Sequence, residues 1–408
     1  MRLVVYPHDL AIGGSQINAI DMAAAVRDAG HDVIVYGLRG PLEEYVAGRG
    51  LEFVPARPLR YRPAPSRIVQ LRQLARHRRI DLIHAYEWPP CQDAYFGAHL
   101  IDRVPVVCTV LSMSVMDLVP RHVPLVMGTE ALSAEARGTH RGPVWTLEPP
   151  IDTVGDHPGL DGDPFRRAHD VGDDDELLVT VSRLAIDLKL DALMQAIDAA
   201  DVLARERRIR LVMVGGGEAH DQLAARAQAV NERHGRTVVT LPGPSLDPRS
   251  AYAAADVVVG MGSSSLRAMA VGRATVVQGE RGFSEIMEPV TEALFLRQGF
   301  WGIGDGEPHA DRLADQIRSL LDDPRRREEL GRFGRRLVAD RFSLERATGL
   351  ILDIYAAVLS APVRRHAADV LDAGWRAARL EVEMHDPRRK RERHRHRHAR
   401  LEHARHGG

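Results

Sequence analysis

Short apolar runs alternate with stretches of helical spacing along most of the chain. The first run, RLVVY (2–6), is β-branched and meets Pro7 at once, which predicts a buried strand. GGSQINAIDMAAAVRDAG (13–30) then spaces Ile17, Ile20, Ala24 and Val26 at roughly helical intervals and ends on Gly30, a natural helix terminator. DVIVYG (32–37), LEFVPA (51–56), IDLIHAY (80–86), VPVVCTV (104–110) and VPLVMGT (123–129) continue the strands, with helical stretches such as 66–78 between them. Strands apolar on both faces that alternate with helices predict a parallel sheet covered on both sides.

Around 148–176 the pattern breaks into a segment rich in Pro, Gly and Asp, which reads as a linker. The rhythm then restarts. Strands are predicted at LLVTVSRL (177–184), IRLVMVGGG (209–217), VVTLPG (238–243), DVVVG (256–260) and ATVVQG (274–279). Helices are predicted at 188–207, 218–234, 248–255, from about 263, and at 343–361. The fold class is therefore α/β, with two doubly wound Rossmann-like domains facing across a cleft that holds the ligand. The expected boundaries are 1–150 for the first domain, 151–175 for a linker and 176–342 for the second domain. Helices at 343–384 are expected to cross back to the first domain, and 385–408 forms a disordered basic tail rich in His and Arg.

Composition narrows the function classes. A chain of 408 residues with 44% hydrophobic and 27% charged residues suits two soluble globular domains. A net charge of −1 gives no global basic field, so no nucleic-acid partner is expected. Cys91 and Cys108 lack metal-ligand spacing and read as small buried thiols. The N-terminus does not read as a signal peptide, and no apolar stretch approaches the ~20 residues of a membrane span, so a cytoplasmic location is expected. The tail DPRRKRERHRHRHARLEHARHGG (386–408) reads first as solvated; contact with an anionic membrane surface, at the inner face, or with nucleic acid is the minority alternative. Arginine carries almost all of the positive charge. Of 55 Lys and Arg, only Lys189 and Lys390 are lysines, and Lys390 lies in the tail.

A parallel sheet lines up strand C-termini and helix N-termini along one edge, where free amides and helix dipoles favour anions. Several turns fall there. Gly13 and Gly14 after the first strand allow close ligand approach, and Ser15 is placed to cap the helix; a tight turn with a cap explains them equally. No GxGxxG follows, which argues against a dinucleotide cofactor. In VSRLAIDLKLDAL (181–193), Arg183 and Lys189 stand at the end of a strand and the start of a helix, suited to clamp a diphosphate or simply to be solvated cations. Gly216, Gly217 and Glu218 form a third strand–glycine–helix turn. Gly260, Gly262, Ser263 and Ser264 form a fourth, an anion nest or a plain serine cap.

The order of these features resembles the GT-B glycosyltransferases, in particular glycosyltransferase family 4. VSRLAIDLKL is similar to the family's strand ending in Gly-Arg-Leu with Lys-Gly beyond it, LVMVGGGE to LVIVGxGP, and LRAMAVGRATVV to LEAMAxGxPVV. GFSEIM (282–287) resembles Gly-Gly-x-x-Glu-Ile-Val, and 320–347 follows the family's C-terminal helices. GGSQ, DLIHAY and PPIDT have counterparts in the first half, so the likeness covers roughly 1–360. The resemblance implies a nucleotide-diphosphate sugar as donor, no separate cofactor or metal, and retention at the anomeric carbon. The acceptor hydroxyl or amine stays open among small molecules, polysaccharides and lipid-linked glycans. It assigns the donor diphosphate to Arg183, Lys189 and the amides of Gly260–Ser264, and brings Glu285 to the donor side.

Two departures stand out. The family's two glutamates, eight positions apart, become Val259 and Arg267 here, so Arg267 either contacts phosphate or pairs with Glu280 or Glu285. The family's His after VVxTx becomes Leu111, leaving His122 as the candidate catalytic replacement or a loop residue entering a strand; His84 and Glu87 are further edge candidates. A sugar transferase is the first reading. A non-catalytic sugar-nucleotide-binding relative, or an auxiliary partner of a glycosyltransferase, is the second, and an epimerase of related fold the third.

Overall fold

Seven parallel strands make the first sheet: β1 (Arg2–Tyr6), β2 (Asp32–Gly37), β3 (Glu52–Pro55), β4 (Leu82–Tyr86), β5 (Val106–Val110), β6 (Leu125–Met127) and β7 (Val144–Thr146). Their order is β3-β2-β1-β4-β5-β6-β7, with Leu3 of β1 aligned to Val33 of β2 on one side and Leu82 of β4 on the other. β4 and β5 are buried along their whole length, which is why their sequences show no polar alternation. β7 was not predicted. It is a three-residue edge strand, VWT, too short to show a period.

The computed structural model describes residues 1–58, 62–112, 118–306, 310–363 and 367–385. It divides into two compact units: Met1–Leu147 with the chain from Thr348 onward, and Glu148–Ala347. The helix Leu344–Ser360 begins in the second unit, and its part from Thr348 onward, in the first, places Tyr355 in the interior against His84. The last described helix, Ala367–His385, adds Ala373 to the core around β1, β4 and β5. The expected basic tail from 386 lies outside the described residues.

The second unit holds β8 (Glu176–Val181), β9 (Ile209–Val214), β10 (Val239–Gly243), β11 (Val257–Gly260), β12 (Thr275–Gln278) and β13 (Ser284–Ile286), in the order β10-β9-β8-β11-β12-β13. All pairs are parallel except β12 with β13, which is antiparallel. The chain winds outward from β8 through β9 to β10, then returns to start β11 on the other side of β8. The sheet therefore has its topological switch point between β8 and β11, where α/β sheets bind ligands at the strand C-termini.

Residues 151–175 are not a free linker. Ile151 bridges to Ser343, Asp163–Ala168 is helical, and Phe165 and Val171 enter the core beside Val179 and Tyr252. The Pro and Gly residues of this segment make turns on a packed surface rather than loosening it.

Candidate active site

Arg183 and Lys189 lie in the loop that leaves β8. The loop is held by the one leaving β9: Leu184 N–H donates to the Gly216 carbonyl at 2.9 Å and Ala219 N–H to the Leu184 carbonyl at 2.9 Å. A Cβ at Gly215 would sit 1.8 Å from the Ser182 carbonyl oxygen, and one at Gly217 2.3 Å from that of Leu184. These glycines thus let two backbones touch, which keeps the Arg183–Lys189 loop in place. Glu218, the acidic residue of that glycine turn, reaches back to the same loop and accepts the Ile186 amide at 3.4 Å. Gly215→Ala is expected to lower unfolding stability by about 1–3 kcal/mol and to displace this loop; a chemical-unfolding midpoint equal to that of the parent would contradict it.

Lys189 is the N-cap residue of the helix Leu190–Leu203, and Leu188 before it takes a left-handed φ of +66°. That conformation strains a residue with a Cβ and is concentrated at functional loops. Burial, and then the Arg183 guanidinium, push the Lys189 ammonium down to about 8. Neither side chain has a carboxylate partner among the described residues, whereas most arginines of this unit do. Two like charges without a counterion have the chemistry to receive an anion.

Beside them, β11 ends at Gly260. Gly262 adopts φ +60°, ψ −134° at the N-cap of the helix Ser263–Ala270, a conformation only glycine takes without cost. The Gly262 amide donates to the Phe300 carbonyl at 2.7 Å, so it is not free for a ligand, contrary to its assignment to the nest. No side chain caps this helix. The hydroxyl of Ser264 meets the Tyr252 hydroxyl at 3.1 Å, and that of Ser265 is buried without a hydrogen bond. The amides of Ser263, Ser264 and Ser265 remain as the donors of an open first turn. A Cβ at Gly260 would lie 3.1 Å from Ser264 Oγ, so the strand end must stay small for this turn to close on it.

Arg267 is not a free phosphate ligand. Its Nε and Nη2 donate to Asp156 at 2.8 and 3.0 Å, and its guanidinium carbon stands 5.7 Å from the Tyr252 ring centre. The partner is neither Glu280 nor Glu285. Glu285 on β13 pairs with Arg312. Asp156 came from the segment read as a linker, so no local pattern pointed to it. Val259 is wholly buried in β11.

In the first unit the candidates separate. Gly13, not Ser15, is the N-cap of the helix Gly14–Asp28; Ser15 lies inside the helix and its hydroxyl makes no hydrogen bond. A Cβ on Gly13 would meet Gln16 Oε1 at 2.5 Å, and Gln16 Nε2 contacts His8 at 3.0 Å and Asp9 at 2.7 Å. This His8–Asp9–Gln16 group at the C-terminal end of β1 was missed in the sequence, where the short loop after Pro7 carried no recognised motif.

His122, the candidate catalytic replacement, does not join the other candidates at the strand C-termini. It precedes β6, at the amino edge of the sheet, away from the strand C-termini, and its Nδ1 lies 3.7 Å from Asp369 of the C-terminal helix. His84 is a core residue. It bonds Tyr355 Oη at 2.7 Å and Thr109 Oγ1 at 2.6 Å, and burial pushes its imidazole down to about 3, so it stays neutral. Glu87 is at the correct edge, with a left-handed φ of +72° after β4. Its carboxylate accepts the Leu111 amide at 2.9 Å and the Ser112 amide and hydroxyl at 3.1 and 3.0 Å. Glu87 therefore shapes the loop in which Leu111 replaces the expected histidine. Among the described residues no group of three His, Cys, Asp or Glu is placed to hold a metal ion.

Two protein-family models match this chain in tandem. Residues 12–124 match Glycosyltransferase Family 4, and residues 161–337 match Glycosyl transferases group 1. The chain belongs to the GT-B glycosyltransferases. Solved structures of similar fold include a glycosyltransferase from Rickettsia africae ESF-5, at 13% identity and a TM-score of 0.70, covering 88% of this glycosyltransferase and 99% of that chain. Anabaena HepE in complex with UDP and glucose matches at 16% identity and a TM-score of 0.70, covering 88% and 100% of the two chains. Sucrose-phosphate synthase from Thermosynechococcus elongatus matches at 16% identity and a TM-score of 0.66, with the same coverage. At these identities the likeness is one of fold. No curated protein matches this glycosyltransferase in sequence.

Proposed function

We propose that this glycosyltransferase moves a hexosyl or related sugar from a nucleoside-diphosphate sugar to an acceptor hydroxyl or amine, with retention and without a metal. The observation that carries the proposal is the uncompensated Arg183–Lys189 pair beside the open turn of Ser263–Ser265, at the switch point of the second sheet. Negative charge grows on the diphosphate as its bond to the anomeric carbon breaks. Preorganised cations and amides stabilise that charge without reorganisation. The acceptor oxygen or nitrogen bonds the anomeric carbon on the face the diphosphate leaves, and its proton passes to the departing phosphate oxygen. Such a route needs no protein base, which fits Leu111 and Glu87 as they stand. HepE has been solved with UDP and with UDP-glucose, which supports a nucleoside-diphosphate donor here.

Lys189 must be protonated to act. Donor affinity is therefore expected to be full below about 8 and to fall as pH rises through that value, the bound diphosphate itself raising the lysine's pKa. Calorimetric titration across this range checks it; an affinity flat from neutral pH to above that of the ammonium would reject Lys189 as a ligand.

Binding without turnover is the second reading, and Val259 with the committed Arg267 is what favours it, because no carboxylate stands at either glutamate position. A panel of sugar nucleotides and acceptors, run with a chelator and followed by nucleotide release and by NMR of the product anomer, separates the two. Transfer with retention in chelator supports the proposal. Inversion, metal dependence, or tight donor binding with no transfer to any acceptor would each overturn the corresponding part.

A further inference from the structure

The helix Ala367–His385 in the first unit has two unlike faces. Asp369, Ala373 and Ala377 turn inward and are buried. On the opposite face Leu371, Trp375 and Val382 are 73%, 71% and 71% exposed. Steps of four and seven residues align them in one stripe along the helix. The exposed Ala378 lies on the same line. A lone exposed leucine needs no explanation, but a tryptophan within an ordered apolar stripe marks a surface that meets another phase or partner.

The charges around this stripe decide which. Asp369 pairs with Arg141 at 2.8 Å, Asp372 with Arg376 at 2.6 Å and Glu383 with Arg379 at 3.0 Å. Three of the helix's four acids are thereby paired with arginines, which weakens their repulsion of an anionic surface. Immediately beyond the helix the sequence continues with nine Lys and Arg against three Asp and Glu in 386–408. An apolar helix face followed by a basic segment has the chemistry of an interfacial anchor. Tryptophan sits at headgroup depth, and arginines meet lipid phosphates. Each signal alone gives marginal, reversible attachment, and the two together make it stable. A second copy of the chain fits less well, since pairing through the stripe would bring two such basic segments together.

We propose that the Leu371–Trp375–Val382 face and the basic segment after it dock this protein on an anionic lipid bilayer. No helix among the described residues is long and apolar enough to cross one, so the attachment is peripheral. The proposal is independent of which sugar is transferred.

Sedimentation of the full chain with vesicles tests it. The parent is expected to bind vesicles of equal parts phosphatidylcholine and phosphatidylglycerol, to ignore phosphatidylcholine alone, and to be released by high salt. Trp375→Glu is expected to weaken binding roughly tenfold or more. The combined Arg388→Gln, Arg389→Gln, Lys390→Gln and Arg391→Gln variant is expected to weaken it at least about tenfold. Because Trp375 is exposed, Trp375→Glu should leave the melting temperature and donor binding in solution unchanged, and Leu371→Glu should repeat its effect. Equal binding to neutral and anionic vesicles, or no loss in Trp375→Glu, would overturn the proposal. So would a dimer in light scattering that Trp375→Glu dissociates, since the stripe would then be a protein interface.

Discussion

Replacing Lys189 by methionine is expected to lower kcat/KM about 10²–10³-fold, the range seen when one preorganised donor to a developing anion is lost. The same substitution should leave the unliganded protein as stable as before, or more so, at neutral pH. The sign follows from the lysine's environment. Its ammonium is depressed from 10.5 to about 8 by burial and by Arg183, so the folded state carries a penalty for holding the charge. That penalty is complete below about 8. It fades between 8 and 10.5, where the folded chain has released a proton that the unfolded chain keeps. Lys189→Met, which keeps most of the aliphatic stem, should therefore raise the melting temperature most at the acid end of this window and least at its alkaline end. Melting curves across pH, set beside initial rates, check both halves. A variant that melts lower at neutral pH while retaining full kcat/KM would show the lysine to be a structural residue.

Asp156→Ala should be the most damaging substitution for stability outside the core. The Asp156 carboxylate is almost fully buried and receives both donors of the Arg267 fork. Its carbonyl, with those of Thr153 and Ala270, is bonded by Arg335. Removing the carboxylate takes both acceptors from the Arg267 fork beside the Tyr252 ring, and breaking such a buried pair costs about 3–5 kcal/mol. Adding Arg267→Leu should recover much of the loss, because a pair replaced on both sides leaves no stranded charge. Denaturant unfolding of the two variants gives the answer: a loss under about 1 kcal/mol for Asp156→Ala would mean that the pair is solvated in practice.

Much of this molecule was legible in its sequence because the information is local. The buried strands are continuous apolar runs, and RLVVY and DVIVYG are strands β1 and β2 as read, whereas the readings of β8 and β9 ran three residues too far, into the loops that follow them. The only lysine among the described residues, which composition singles out, is also the one whose ammonium burial and Arg183 hold low. What failed depends on contacts distant in sequence or on which edge of a sheet a residue occupies. Asp156 and Arg267 are 111 positions apart, so no period connects them. His122 was proposed by its nearness to a missing histidine, but a residue that precedes a strand lies at the opposite edge from one that follows it. Ser15 lost the cap position to Gly13 because the helix begins two residues earlier than a cap at Ser15 requires. β7 and β13 are three-residue edge strands that carry no alternation to read. The segment 151–175 has the composition of a linker but buries Phe165 and Asp156, which composition cannot reveal.

The measurement that tests the central claim most directly is calorimetric titration of UDP, GDP and ADP, in chelator, into the parent, Arg183→Ala and Lys189→Met proteins. The diphosphate site predicts that at least one nucleotide binds the parent with an affinity that falls with salt, and that each substitution weakens it by about tenfold or more. A nucleoside diphosphate bound equally well by all three proteins would contradict the account.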